Sequence, residues 1–368
     1  MRERKMNMSN PHRPAPAPDR QRRQWLAAIG AGLGLSWAGV AHAQPGGGRS
    51  AYRLLLNTGL SGPVAFFLLA QDKGYLRDEG LDVQFSGGPG AAAMVPMVRE
   101  GAFEFGYGDI SALIERIARG RPGAGPVAVY TTFNVVPFTI AVDAGGPIKQ
   151  PRDLLGKRIL GHASDAALLT FDLYAEAAGF DAHGVKVDGS MGSMGSAVKE
   201  MLQGQGADGV FGFVNTLIAA AAPFGVAPES LRFLNWSDAL PEMYGNTLFV
   251  TRQTYQGDKP AVQALVRAIN CGLADTVRNP DAAIESLLRH APGSDRAVNL
   301  RRLRGTLATE MAHPEGRRIG IGDMDDDRLR QLIDRIVRVK RLPRTPSVEE
   351  VFDRSFLPPL ADRVRNLA

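Results

Sequence analysis

The residues able to hold a small molecule sit in short loops, each following an apolar run and opening a helical one. Asn57, Thr58 and Ser61 share the first loop. An amide, hydroxyls and backbone N–H groups there can orient a solute, and the next helix offers a positive N-terminus. An ordinary capped turn uses the same residue types. The second loop is glycine-rich, and Gly88 and Gly90 let backbone N–H groups approach a ligand closely. Gly88, Gly90 and Ala93 also match a dinucleotide-binding spacing, with Asp109 further on. Pro89 inside the turn, and its place after the second strand rather than the first, speak against that reading. In the third loop Asp109 and Ser111 suit a cationic or N–H-rich ligand, although Asp109 is equally placed to cap the helix it precedes.

The same arrangement recurs later in the chain. His162 and Ser164 precede Asp165 at a helix start, Ser190 lies before the helical run from Gly195, and Asn215 follows Phe213. Ligand contact by His162 or Ser164 is expected, with capping by Ser164 or Asp165. A catalytic triad is not, because its members normally come from separated segments. Phe133, Phe213, Trp236 and Tyr244 fall near strand ends or crossings. Each could stack on a flat ring, worth about 1 kcal/mol beyond burial, or pack in the core. Trp236 and Tyr244 carry the polar tips that suit a cleft. The histidines past residue 50 lack metal-ligand spacing and Cys271 stands alone, so no metal, cofactor or catalytic residue is expected. Cys271 reads as a small buried helix residue. The arginines of 301–304 and 335–341 read as solvated helix faces. No Arg or Lys lies in the junction loops. A strong anion usually recruits a bidentate arginine, so an aminopyrimidine-like heterocycle is expected, with an aromatic carboxylate, a sulfonate or nitrate as the alternative.

These loops need elements to hold them. Apolar strand-like runs over 52–56, 81–85, 103–107 and 126–133 alternate with helical runs over 63–73, 91–100 and 109–119. The rhythm restarts at 158–161 and continues to 231–234. Alternation of this kind predicts two α/β units, each with a parallel sheet and crossover helices. The apolar run 138–142 is expected to cross between them, and 246–250 to return. Helices over 260–277, 280–288, 295–310 and 326–339 finish the chain. The expected organisation is a first lobe over 50–142, a second over 143–246, and a return with C-terminal helices over 247–368. In open α/β sheets ligands bind outside the carboxyl ends of the strands. Two facing lobes would therefore line one cleft with the loops above, and close about hinges near 133–142 and 244–247.

The chain has 368 residues and a formal charge of +5. All of that excess lies in residues 1–43, and the remainder is neutral. Bulk charge therefore gives no reason to expect a nucleic-acid partner. Arg22, Arg23, Trp25 and Leu26 precede an uncharged Ala/Gly/Leu stretch and the small-residue site Ala41–His42–Ala43. That is the order of an export signal, with a twin-arginine-like start. Residues 1–43 are read as a signal peptide cleaved after Ala43, which places the mature chain in the periplasm.

Several longer runs resemble one family. The run Ala70–Val83 (AQDKGYLRDEGLDV) is similar to a signature of periplasmic solute-binding proteins of the thiamine-pyrimidine, sulfonate and nitrate type. Glu100–Asp109 (EGAFEFGYGD) resembles a second, with Glu104 where Asp is usual, and Ile148–Lys157 (IKQPRDLLGK) a third. Ile321–Met324 and Ser355–Pro358 look like the family's C-terminal run. The resemblance implies a type II periplasmic-binding fold and the extracytoplasmic, non-enzymatic component of an ABC importer. Its partners would be a small-molecule ligand and an inner-membrane permease, and a monomer is expected. Two rivals remain: a ligand sensor, and an enzyme like the pyrimidine-precursor synthase of the same fold. The synthase carries a cysteine-rich motif that this chain lacks.

Overall fold

The structure, a computed structural model, describes residues 50–365 and Leu367, Glu100 excepted. The export-signal reading and its cleavage point lie outside the described residues. Ten strands form two five-stranded sheets. The first sheet contains β1 (Ser50–Leu55), β2 (Leu81–Ser86), β3 (Phe105–Asp109), β4 (Val127–Thr131) and β10 (Asn246–Val250). The second contains β5 (Phe138–Asp143), β6 (Arg158–Leu160), β7 (Lys186–Asp188), β8 (Gly209–Phe213) and β9 (Leu231–Asn235).

The strand orders, β2-β1-β3-β10-β4 and β7-β6-β8-β5-β9, follow one plan. In each, the strand between the third and fourth parallel strands is antiparallel to both neighbours. The all-parallel expectation is corrected at that position. The run 138–142 does not cross between lobes. It is β5, wholly buried up to Val142 in the middle of the second sheet, so the first passage between sheets occupies 132–137. The return run is β10, buried throughout and set between β3 and β4. Both runs are largely apolar, Thr139, Asn246 and Thr247 apart, as suits strands buried on both faces.

Local sequence explains most helices. Asp109, Asp165 and Asp325 each accept a hydrogen bond from a backbone N–H in the helix that follows. Gly74 and Gly179 take left-handed φ where helices end. The helix expected over 91–100 is only turns and one 3₁₀ turn, Val95–Met97. Pro96 lacks the N–H that a longer helix would need. The helix expected over 295–310 is regular only for Arg296–Gly305 and continues as a π-helical stretch, Thr306–Met311. Glu104 ties β1 to the start of β3. Its carboxylate accepts from the Arg53 backbone at 2.9 Å and pairs with the Arg53 guanidinium at 2.7 Å. Cys271 is exposed on the Lys259–Arg278 helix, not buried as read from its surroundings. Among the described residues no helix is long and apolar enough to cross a membrane.

Candidate functional site

The carboxyl ends of β1, β2, β4, β6 and β8 open into one cleft of about 390 Å³. The first lobe lines it with the Asn57–Ser61 loop, the Pro89–Ala91 turn and Phe133. The second lobe contributes His162, Ser164, Asp165, Phe213 and Thr216. Arg302, Thr306 and Glu310 reach in from the C-terminal helices. Eight of the candidate ligand-contact residues singled out from the sequence thus meet here: Asn57, Thr58, Ser61, Gly90, Phe133, His162, Ser164 and Phe213.

Four buried polar atoms in this lining have no partner: Asn57 Oδ1, Ser61 Oγ, Arg302 Nε and Thr306 Oγ1. A polar atom buried without a hydrogen bond costs about 1–3 kcal/mol. All four belong to residues that line one concave surface. Burial pushes the Asp165 carboxyl up to about 6, although it caps its helix through the Ala167 N–H at 2.8 Å. Burial also raises the Glu310 carboxyl, which accepts from the Asn215 amide at 2.9 Å. Desolvation lowers the Arg302 guanidinium, with Glu310 acting in the opposite direction.

The lobes touch across the mouth. Ser164 Oγ donates to the Pro89 carbonyl at 3.0 Å. Gly90, at φ +144°, permits that approach: a Cβ there would stand 3.0 Å from the Ser164 carbonyl oxygen. At the other flank Asn215 donates to Thr309 Oγ1 at 3.0 Å as well as to Glu310, and Arg302 donates to Thr216 at 3.2 Å. Gly305 leaves room for this docking, since a Cβ would fall 2.2 Å from the Asn215 side-chain amide oxygen and push it from its present place.

The other singled-out residues lie elsewhere. Trp236 is fully buried, stacked on Tyr174 at 4.0 Å, with its indole N–H donating to Thr170. Tyr244 is fully buried beside the interlobe passages: its hydroxyl donates to Glu315 at 2.5 Å and Arg328 covers its ring at 3.9 Å. The polar tips of both rings are therefore used inside the protein. Asp109 is buried and spends one carboxylate oxygen capping its helix through the Ala112 N–H at 3.0 Å. Ser111 is buried in the first turn of that helix. Ser190 is exposed and bonds Asp188 at 2.6 Å. Gly88 faces β1, where a Cβ would meet the Leu56 carbonyl. Asn215 stands behind the lining and holds Glu310.

Arg302, Thr306 and Glu310 escaped the sequence reading. Arg302 lies close to Arg301 and Arg304 and was expected on a solvated face. Its signal is weak: the buried Asn299 and Leu303 on the same helix show which side turns inward. The loops indeed hold no cation, but the cleft does.

Two lobes of like topology around a cleft at their strand ends define a two-lobe periplasmic-binding fold. The model of the NMT1/THI5-like family matches residues 62–283, and the chain belongs to that family. Solved structures share the fold. The alkanesulfonate-binding protein SsuA from Xanthomonas axonopodis pv. citri, bound to MOPS, superposes with TM-score 0.61 at 17% identity, covering 83% of this chain and 98% of that one. The periplasmic aliphatic sulphonate binding protein SsuA from Escherichia coli gives TM-score 0.61 at 16% identity, covering 84% and 94%. A mutant of the desulfurization enzyme DSZB, in complex with biphenyl-2-sulfinic acid, gives 0.51 at 14% identity, covering 83% and 97%. The comparison with curated protein sequences finds no match.

Proposed function

We propose that this protein is the extracytoplasmic solute-binding component of an ABC importer. It captures a small molecule in the cleft as the two lobes close, and the closed form docks on a permease. The carrying observation is the set of four unpartnered buried polar atoms of cleft-lining residues, two from the Asn57–Ser61 loop of the first lobe and two from the C-terminal helical stretch, facing the second-lobe lining. A bound solute would satisfy them, and its contacts to both lobes would favour closure.

Capture rather than catalysis is supported by how the reactive side chains are used. Ser164 Oγ is engaged with a carbonyl across the cleft, and Asp165 accepts from the backbone. Neither arrangement activates a nucleophile. Arg302 alters the ligand class. A neutral aminopyrimidine would leave its buried Nε unmatched, whereas a solute bearing an acid group would meet it. Phe133 and Phe213 leave room for an apolar body beside that group.

A thermal-shift screen of the refolded chain tests the reading, with aromatic carboxylates, alkyl sulfonates, amino acids, nitrate, thiamine precursors and flavins. A ligand at about 100 times its Kd adds about 2.7 kcal/mol, which moves the melting temperature of a protein this size by several degrees. A rise with one class supports capture. No rise across all classes counts against it.

A further inference from the structure

The cleft lining holds one guanidinium, Arg302, and two carboxyls; Asp165 caps its helix, while Glu310 lies near Arg302 without forming an ion pair with it. Arg302 is half-buried and forms no ion pair with any carboxylate among the described residues; its contacts are the Thr216 hydroxyl at 3.2 Å and an unmatched Nε. Glu310 is 4% exposed, forms no ion pair among the described residues, and accepts the Asn215 amide at 2.9 Å on Oε1. Two other arginines with little exposure are closely paired, Arg328 with Glu315 at 2.7 Å and Arg363 with Asp323 at 2.8 Å. A guanidinium cannot shed its charge on burial, and Glu310 acts on Arg302 electrostatically without a direct ion pair to offset its desolvation. A π-helical turn, a feature frequent at functional sites, carries Glu310 and follows directly on the helix that carries Arg302. Both side chains line the same cleft, eight residues apart along one continuous helical stretch.

From this separated pair we infer that the solute is zwitterionic: an acid group meets Arg302, an amino group meets Glu310, and an apolar body lies against Phe133 and Phe213. The inference rests on the capture reading and adds the charge pattern of the ligand. A diacid would face Glu310 with like charge, and a simple amine would face Arg302 with like charge. Ser61 and Thr306 supply hydroxyls for the remaining lone pairs or N–H groups of the two ends.

Three probes share one apolar body: L-phenylalanine with both groups, 3-phenylpropanoate with the acid alone, and 2-phenylethylamine with the amine alone. Titration calorimetry on the full refolded chain is expected to show L-phenylalanine at least tenfold tighter than either analogue. Arg302→Gln should erase its advantage over the amine, and Glu310→Gln its advantage over the acid. Circular dichroism and melting checks that each variant folds. Equal or tighter binding of 3-phenylpropanoate, with Glu310→Gln neutral, overturns the zwitterion while leaving capture intact. Binding by none of the three also overturns it, and capture then stands or falls on the wider screen.

Discussion

Asp109 shows how one side chain can satisfy a sequence rule and still be missed as to its purpose. Its place before a helix fits a cap and its place after a strand fits a ligand contact. Burial decides between them, because the carboxylate sits wholly inside the first lobe with one oxygen unpartnered. That burial pushes its pKa up to about 7. An acid whose folded value is raised favours the native state below its unfolded value, near 3.8, and loses that contribution as pH climbs to about 7. Asparagine caps helices about as well and carries no charge. Asp109→Asn should therefore melt higher relative to the parent at pH 8 than at pH 5, the two differences separated by at least about 1 kcal/mol. Thermal melts at both values check this, and a gap independent of pH would mean that Asp109 titrates normally. The same limit applied to Trp236 and Tyr244. A residue type announces a capacity, but only packing shows whether that capacity faces the cleft or the core. The place of Asn57, Ser61 and Ser164 in the cleft lining was legible because each sits in a loop at the end of a strand. Arg302 and Glu310 were not, because they arrive from helices far along the chain, and no local pattern links them to those loops.

At the scale of elements the alternation of strands and helices was readable, since apolar period and glycine caps are local. The place of 138–142 was not, because a buried run looks the same whether it crosses or pairs. The passages between lobes are organised by one helix, Asp326–Val339. Its Arg328 donates to the Asn134 carbonyl of the first passage at 2.6 Å. It also donates to the Pro241 and Met243 carbonyls of the second, both at 2.9 Å. The same guanidinium pairs with Glu315, whose side chain is 6% exposed, at 2.7 Å. A planar five-donor fork can serve all of these at once, and an ammonium cannot. Arg328→Lys should therefore destabilise the protein by about 2–4 kcal/mol, because it leaves carbonyls and a buried acid undersatisfied. Urea unfolding would measure the loss. A change below about 0.5 kcal/mol would mean that the passages hold their shape without this clamp.

The molecule as a whole is held with its lobes together on more than one side of the cleft. Ser164 meets Pro89 at the mouth, Asn215 meets Thr309 and Glu310 at one flank, and charged side chains form the third contact. Lys340, just past the Asp326–Val339 helix, reaches Glu115 of the first lobe at 3.3 Å. It also reaches Asp172 at 3.2 Å and the Leu169 carbonyl at 2.8 Å, both in the second. Arg335 and Arg338 add pairs to Glu176 at 2.6 and 2.7 Å. Arg338 is well exposed, so it contributes little and is screened by salt. Lys340 is 13% exposed and touches both lobes at once, so of these charged contacts it is the least screened. Removing it should move the balance toward an open form, not unfold either lobe. Small-angle scattering is expected to give Lys340→Met a larger radius of gyration than the parent at low salt. Affinity for whichever solute the screen identifies should fall about two- to fivefold, equivalent to about 0.5–1 kcal/mol of lost closure. Raising salt should expand the parent toward the variant and change the variant less. A variant as compact as the parent, with unchanged affinity, would place the closing energy at the mouth and the Asn215 flank instead.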